Sequence, residues 1–210
     1  MTGVPMESRR ERKKQQTRTA LLEAAMALFA EGGVSGTRVE DITERVDLGK
    51  GAFYNYFASK DALIADLVAR GVDTFERGYL SQLDASEGVP RRVADVVRLH
   101  DTFLGEHPQY ALLFHQARGL LLLQNTRVEK LRDVFAHYLR RVGQALRTGT
   151  TNPCSDEDML DIAAALVGGV SGYHSFRIAA ALPANDTTAE QTLTPGILGL
   201  LEQRGSARCG

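Results

Sequence analysis

The chain has 210 residues, 43% hydrophobic and 24% charged, and a net charge of −1. That composition suits one or two globular domains with a real core. It excludes a disulfide-stapled scaffold, because Cys154 and Cys209 have neither disulfide-framework nor metal-ligand spacing. The amino terminus is charged, unlike a secretory signal, and the longest aliphatic run, Leu120–Leu123, is far too short for a bilayer. A cytoplasmic protein with no membrane partner is therefore expected. Charge is uneven along it: residues 1–60 hold ten Lys or Arg against eight Asp or Glu, the remainder fifteen against eighteen. A basic front suits a polyanionic partner.

Alternating strand patterns are nearly absent, so the expected fold is all-α. After a basic, flexible tail over residues 1–14, Leu21, Leu22, Ala25, Leu28 and Phe29 form a helical stripe that stops at Gly32-Gly33, a natural C-cap. Thr37 reads as the N-cap of a second, short helix, with Glu40 completing a capping box. Asp47 to Gly49 make a turn. A third short helix, Lys50–Phe57, follows, and a longer fourth is capped by Ser59. The stretch Asp84–Pro90 (DASEGVP) reads as a linker. Further helical patterns run to His107-Pro108, over Tyr110–Leu121, over Val128–Leu146, and from a Ser155-x-x-Asp158 capping box to about Leu182. The last helix is expected to start at Thr194-Pro195 with proline at its first position. About nine helices result, with residues 205–210 as a disordered tail.

Three short helices, two joined by a tight turn, describe a helix-turn-helix unit whose second motif helix enters the DNA major groove. Lys50–Phe57 is too short to survive alone. Phe53 and Phe57, four apart, would anchor it to the core. Tyr54 and Tyr56 then point away, offering hydroxyls to phosphate and rings to sugar or thymine methyl. Gly51 and Ala52 leave the helix front bare, and Lys50 and Lys60 flank it.

The segment VDLGKGAFYNYFASKDAL over residues 46–63 resembles the signature of the tetracycline-repressor-like (TetR) family of bacterial transcriptional regulators. TRTALLEAAMALFAEGG, residues 17–33, is similar to that family's first helix, and GTRVEDITERV, residues 36–46, to its second. The resemblance covers about residues 15–65. It implies contacts with double-stranded operator DNA from Thr37, Arg38, Lys50, Gly51, Ala52, Tyr54, Tyr56 and Lys60. It also implies a helix-turn-helix domain over 15–60 and a helical ligand-binding and dimerisation domain over 61–204. Two residues depart from the pattern. Gly49 stands where Ser or Thr usually caps the recognition helix and touches a phosphate, and Asp47 stands in the turn where Gly is common. Asp can take the left-handed conformation needed there.

In the rear domain the resemblance implies a small-molecule effector and a homodimer on a palindromic operator, in a nucleoid-associated protein. His100, Phe103, Tyr110, Phe114, His115 and Tyr138 are candidate effector liners, with ordinary core packing as the competing reading for each. Leu166, Gly169, Tyr173, Leu198 and Leu201 are candidate dimer residues. Gly168, Gly169 and Gly172 either let two helices approach closely or kink a buried helix. No cofactor or metal is expected. An enzyme is disfavoured: all five histidines lie after residue 99, but without an H-E-x-x-H array, and GVSGY at 169–173 lacks the last glycine and the preceding strand of a nucleophile elbow. A helical adaptor would leave the bare front and paired tyrosines without a role.

Overall fold

A computed structural model describes residues 9–83, 88–123, 129–147, 155–182 and 188–206. Among them are nine α-helices, one 3-10 turn at Leu80–Gln82 and no strand. The helices are α1 (Arg9–Gly36), α2 (Val39–Glu44), α3 (Lys50–Phe53), α4 (Lys60–Gly78), α5 (Val89–Glu106), α6 (Pro108–Leu123), α7 (Glu129–Arg147), α8 (Asp156–Ala179) and α9 (Ala189–Ser206). None is long and apolar enough to cross a membrane. The chain divides into two compact units, Met1–Leu67 and Val68–Gly210. The division falls inside α4. Residues 88–90 of the expected linker belong to the start of α5, with Gly88 as N-cap; residues 84–87 lie outside the described set.

In the first unit, Leu21, Leu22 and Ala25 of α1 are fully buried, and Ile42, Phe53, Leu63 and Ile64 join them. Burying one such aliphatic or aromatic side chain stabilises by roughly 1.5–3 kcal/mol. That tertiary burial, rather than propensity, holds two helices of six and four residues. Arg9–Lys14 is helical rather than a tail. The expected break at Gly32-Gly33 is present: Gly33 takes φ 74°, ψ 162°, a conformation costly for any residue with a Cβ.

In the second unit, α8 packs against α5, α6, α7 and α9. Its capping box forms as expected, with Asp158 N–H donating to Ser155 Oγ at 3.2 Å and Ser155 N–H to Asp158 Oδ2 at 2.8 Å. α8 is uninterrupted through Gly168, Gly169 and Gly172, so these glycines do not kink it. Helix α9 begins at Ala189, well before Thr194, and Pro195 lies in its interior. The missed start signal is a Thr-x-x-Gln box: Gln191 N–H donates to Thr188 Oγ1 and Thr188 N–H to Gln191 Oε1. Asp101 of α5 ties this start down, accepting from Ala189 N–H at 3.2 Å and facing His174 Nε2 at 2.7 Å. Gly205 and Ser206 belong to α9, whereas Cys154, Cys209 and residues 207–210 lie outside the described residues.

Candidate nucleic-acid interface

The turn before α3 is made as the sequence suggests. Asp47 adopts φ 55°, and Leu48 N–H closes back onto Thr43 O at 2.9 Å. α3 then starts from Gly49, which has φ −70°, ψ 148° and no side-chain cap. It is shorter than expected: regular helix ends at Phe53, and Tyr54–Tyr56 form a turn. Phe57 N–H still reaches Phe53 O at 3.0 Å, which preserves the four-residue spacing. Both phenylalanines are buried, their centroids 5.5 Å apart. The Arg18 guanidinium lies 5.1 Å over the Phe57 ring and pairs with Asp66. Arg18 is thus a brace under the motif, not a free cation.

This anchoring leaves an outward surface. Tyr54 is 53% exposed, Tyr56 half-buried, and a Cβ at Gly51 would meet nothing within 4 Å. Lys50 and Arg38 are exposed. Lys50 Nζ lies 2.5 Å from Glu40 Oε1 of α2. That bond holds the Glu40 carboxyl below its ordinary pKa range and the Lys50 ammonium above its own, so Lys50 approaches a partner as half of a pair. From the sequence alone, Glu40 reads only as part of a capping box.

Two expected contact residues turn inward. Thr37 is buried, its hydroxyl donating to Gly33 O at 2.9 Å and Leu28 O at 3.3 Å. It is not the cap of α2; Arg38 is, and Arg38 N–H donates to Asp41 Oδ2 at 2.7 Å rather than to Glu40. Lys60 Nζ donates to Val34 O at 2.9 Å and Thr37 O at 3.0 Å. A lysine expected at the phosphates therefore satisfies carbonyls left open where α1 ends. The outward set that the fold brings together is Arg38, Lys50, Gly51, Ala52, Tyr54 and Tyr56.

In the second unit, five of the six candidate liners gather. Phe75, Phe103, Tyr110, Phe114 and Tyr138 close a circuit with centroid separations of 5.5, 5.6, 5.9, 6.0 and 5.9 Å, and His100 sits 3.9 Å from Phe75 and 5.8 Å from Tyr138. His115 stands apart, exposed on α6 with Nδ1 3.5 Å from Ser175 Oγ. None of the six lines the open cleft of about 620 Å³ formed by Glu76, Leu80, Arg92, Arg141, Arg147 and their neighbours. Burial pushes the His100 imidazole down to about 4, so it is neutral near pH 7. Among the described residues no group of three or more His, Cys, Asp or Glu could hold a metal.

The candidate dimer residues divide. Leu166 is fully buried in its own bundle and has no surface to offer a partner. Gly169 faces Leu193 of α9, where a Cβ would lie 3.5 Å from Cδ1. Tyr173 lies under the Arg177 guanidinium at 5.5 Å and Leu198 is half-buried; the Leu201 side chain lies outside the described residues. The exposed apolar side chains of α8 are instead Leu160, 37% exposed, and Phe176, 70% exposed, at opposite edges of its outward side, with Gly168 and Gly172 open between them. Leu200 of α9 is a further exposed apolar residue.

Residues 21–67 match the family model described as bacterial regulatory proteins, tetR family. The chain is 35% identical over 75 residues to the HTH-type transcriptional repressor DhaR of Mycobacterium sp. strain GP1, covering 36% of this chain and 38% of that one. It is 27% identical over 116 residues to the HTH-type transcriptional repressor KstR2 of Mycobacterium tuberculosis, covering 55% and 58%. The matched stretch thus spans less than two thirds of these relatives' length. Both are named as regulators of transcription, neither as an enzyme. Among solved structures, a transcriptional regulator from Rhodococcus sp. Rha1 superposes with a TM-score of 0.68 at 18% identity, over 89% of this chain and 97% of that one. The regulator FadR from Bacillus subtilis, in complex with stearoyl-CoA, gives 0.60 at 15% identity, over 87% and 96%. At these identities the likeness is one of fold.

Proposed function

We propose, from the match of residues 21–67 to the model of bacterial tetR-family regulatory proteins, that the chain is a transcriptional repressor that binds a palindromic operator as a homodimer and leaves it on binding a small-molecule effector. The observation that carries the DNA half is Tyr54, exposed beside the bare Gly51 on a motif helix whose two phenylalanines are buried. Tyr54 and Tyr56 contact phosphate and sugar, Arg38 and Lys50 neutralise phosphates, and Gly51 and Ala52 admit the backbone of the duplex closely. The exposed Phe176 of α8 and Leu200 of α9 support pairing of two copies, since pairing would remove their apolar surface from water. A twofold dimer presents two motif helices to two half-sites one helical turn apart. The site of action is the nucleoid of the cytoplasm.

Retardation of duplex DNA from the gene's own upstream region tests this reading. Binding is expected to weaken steeply with salt as phosphate contacts release counterions. Tyr54→Phe should weaken operator binding by about 1 kcal/mol, a single hydrogen bond's worth, while the melting temperature and dimer mass stay unchanged. Absence of duplex binding above non-specific levels at low salt would sink the proposal.

A further inference from the structure

We propose that Glu40 and Lys50 act as one unit that reads a C·G base pair of the operator. The Glu40 carboxylate accepts from the cytosine N4 amino group, and the Lys50 ammonium donates to O6 of the paired guanine. The inference rests on the DNA-binding reading above and adds the base pair that the surface selects. It starts from an acid on a surface that faces phosphates. Glu40 lies in the first turn of α2, is exposed, and has Oε1 2.5 Å from Nζ of Lys50, the first residue of α3. A motif helix contacts base edges through its N-terminal residues, so the pair stands where α3 meets the groove. Lys50 and Arg38 both draw Glu40 toward its ionised form. A bare carboxylate there opposes the phosphate attraction that every duplex offers. It has a place on the surface once the operator supplies it with a donor.

The chemistry of the major groove narrows the choice to one base pair. Guanine offers only acceptors there, thymine an acceptor and a methyl group, and adenine an amino group beside the N7 acceptor. Each of those acceptors repels a carboxylate. Cytosine presents an amino donor without an acceptor of its own, and its guanine partner places O6 beside that donor. The base pair therefore shows a donor and an acceptor side by side, and the ion pair shows the complementary acceptor and donor in contact. An ionised carboxylate has acceptor sites beyond the one that Lys50 occupies, and an ammonium has three donors. The ion pair thus persists while each half takes a base, and Lys50 keeps a donor for phosphate. Glu44 and Asp47 line the same open cleft of about 420 Å³ as Glu40 and Lys50. Among the described residues, however, it is Glu40 that forms the ion pair with Lys50.

Selection of duplexes from a randomised pool by the full chain, followed by retardation of the best duplex and its single-base-pair variants, tests the inference. Each half-site is expected to hold one C·G pair whose replacement by T·A weakens wild-type binding at least fivefold. Glu40→Ala should reduce that penalty to less than twofold and, by removing a negative charge, tighten binding to random-sequence duplex. Glu44→Ala removes an equal charge from the same cleft and should leave the penalty in place. The exposed ion pair holds little stability, so the melting temperature should not move. Should Glu40→Ala nonetheless fail to fold, Glu40→Gln serves: its amide both donates and accepts, so the selected base should change from cytosine to adenine. A half-site without such a C·G pair, a penalty or a cytosine preference that survives replacement of Glu40, or one that Glu44→Ala removes equally overturns the proposal. Selective wild-type retardation that is indifferent to Glu40 removes only this base reading. Absence of retardation above non-specific levels removes the repressor reading with it.

Discussion

Lys60 shows how far a side chain's charge can mislead about its work. Its position beside the tyrosines suggests a phosphate contact, yet its ammonium donates to Val34 O and Thr37 O. Lys60→Met should therefore lower the unfolding free energy by about 1–3 kcal/mol, since two buried carbonyls lose a charged donor. Urea melts of the full chain check this, and an unchanged melt with weakened DNA binding would return Lys60 to the interface. Gly49 is the opposite case. Its φ of −70° needs no glycine, and a Cβ would meet nothing within 4 Å. Gly49→Ser should cap α3, add a few tenths of a kcal/mol of stability, and tighten operator binding through a hydroxyl facing phosphate, as paired melts and retardation would read. An operator affinity no better than that of the parent chain would mean that the cap lies off the DNA face.

At the scale of elements, most of the fold was legible because helical period and caps are local. Ser59 caps α4 as read, its Oγ accepting from Ala62 N–H, and the box at Ser155 and the stop at His107-Pro108 are where the pattern puts them. What failed was competition between two plausible local signals. Thr37 and Arg38 both precede α2, and long-range bonds from Thr37 to α1 decided for Arg38. Pro195 suits a first turn, but the Thr188–Gln191 box together with Asp101 starts α9 earlier. The candidate site divided likewise: Tyr54 and Phe53 follow from spacing alone, while the inward turn of Lys60 depends on chain 23 to 26 residues away. Close approach of elements is equally invisible in sequence. Gly71→Ala should cost roughly 1–3 kcal/mol by forcing Tyr110 and Phe114 off α4, which thermal melts would register. An unperturbed melt would mean that the rings yield freely.

Across the molecule, buried neutrality has a pH signature. His100 in the folded state holds its pKa near 4, below the ordinary 6.5, so the unfolded chain takes up that proton first as pH falls. Its contribution to stability is complete above about pH 6.5 and declines toward pH 4, by on the order of 3 kcal/mol. Across that window the wild type should lose stability relative to His100→Leu as pH falls from 6.5 toward 4, and parallel melts of the two would show that the ring titrates freely. Charge counted along the sequence also overstates the DNA-facing charge, because Arg18, Arg45, Lys50 and Lys60 all have partners inside the first unit. Finally, the boundary between the units lies within the uninterrupted helix α4. A protease therefore finds no slack tether there, and cutting at the boundary requires unwinding a helix that both cores need. An excised fragment ending at Leu67 would carry half a helix with a frayed end. The amino-terminal unit is for that reason a poor cassette: transplanted onto another protein, it must bring the whole of α4 with it.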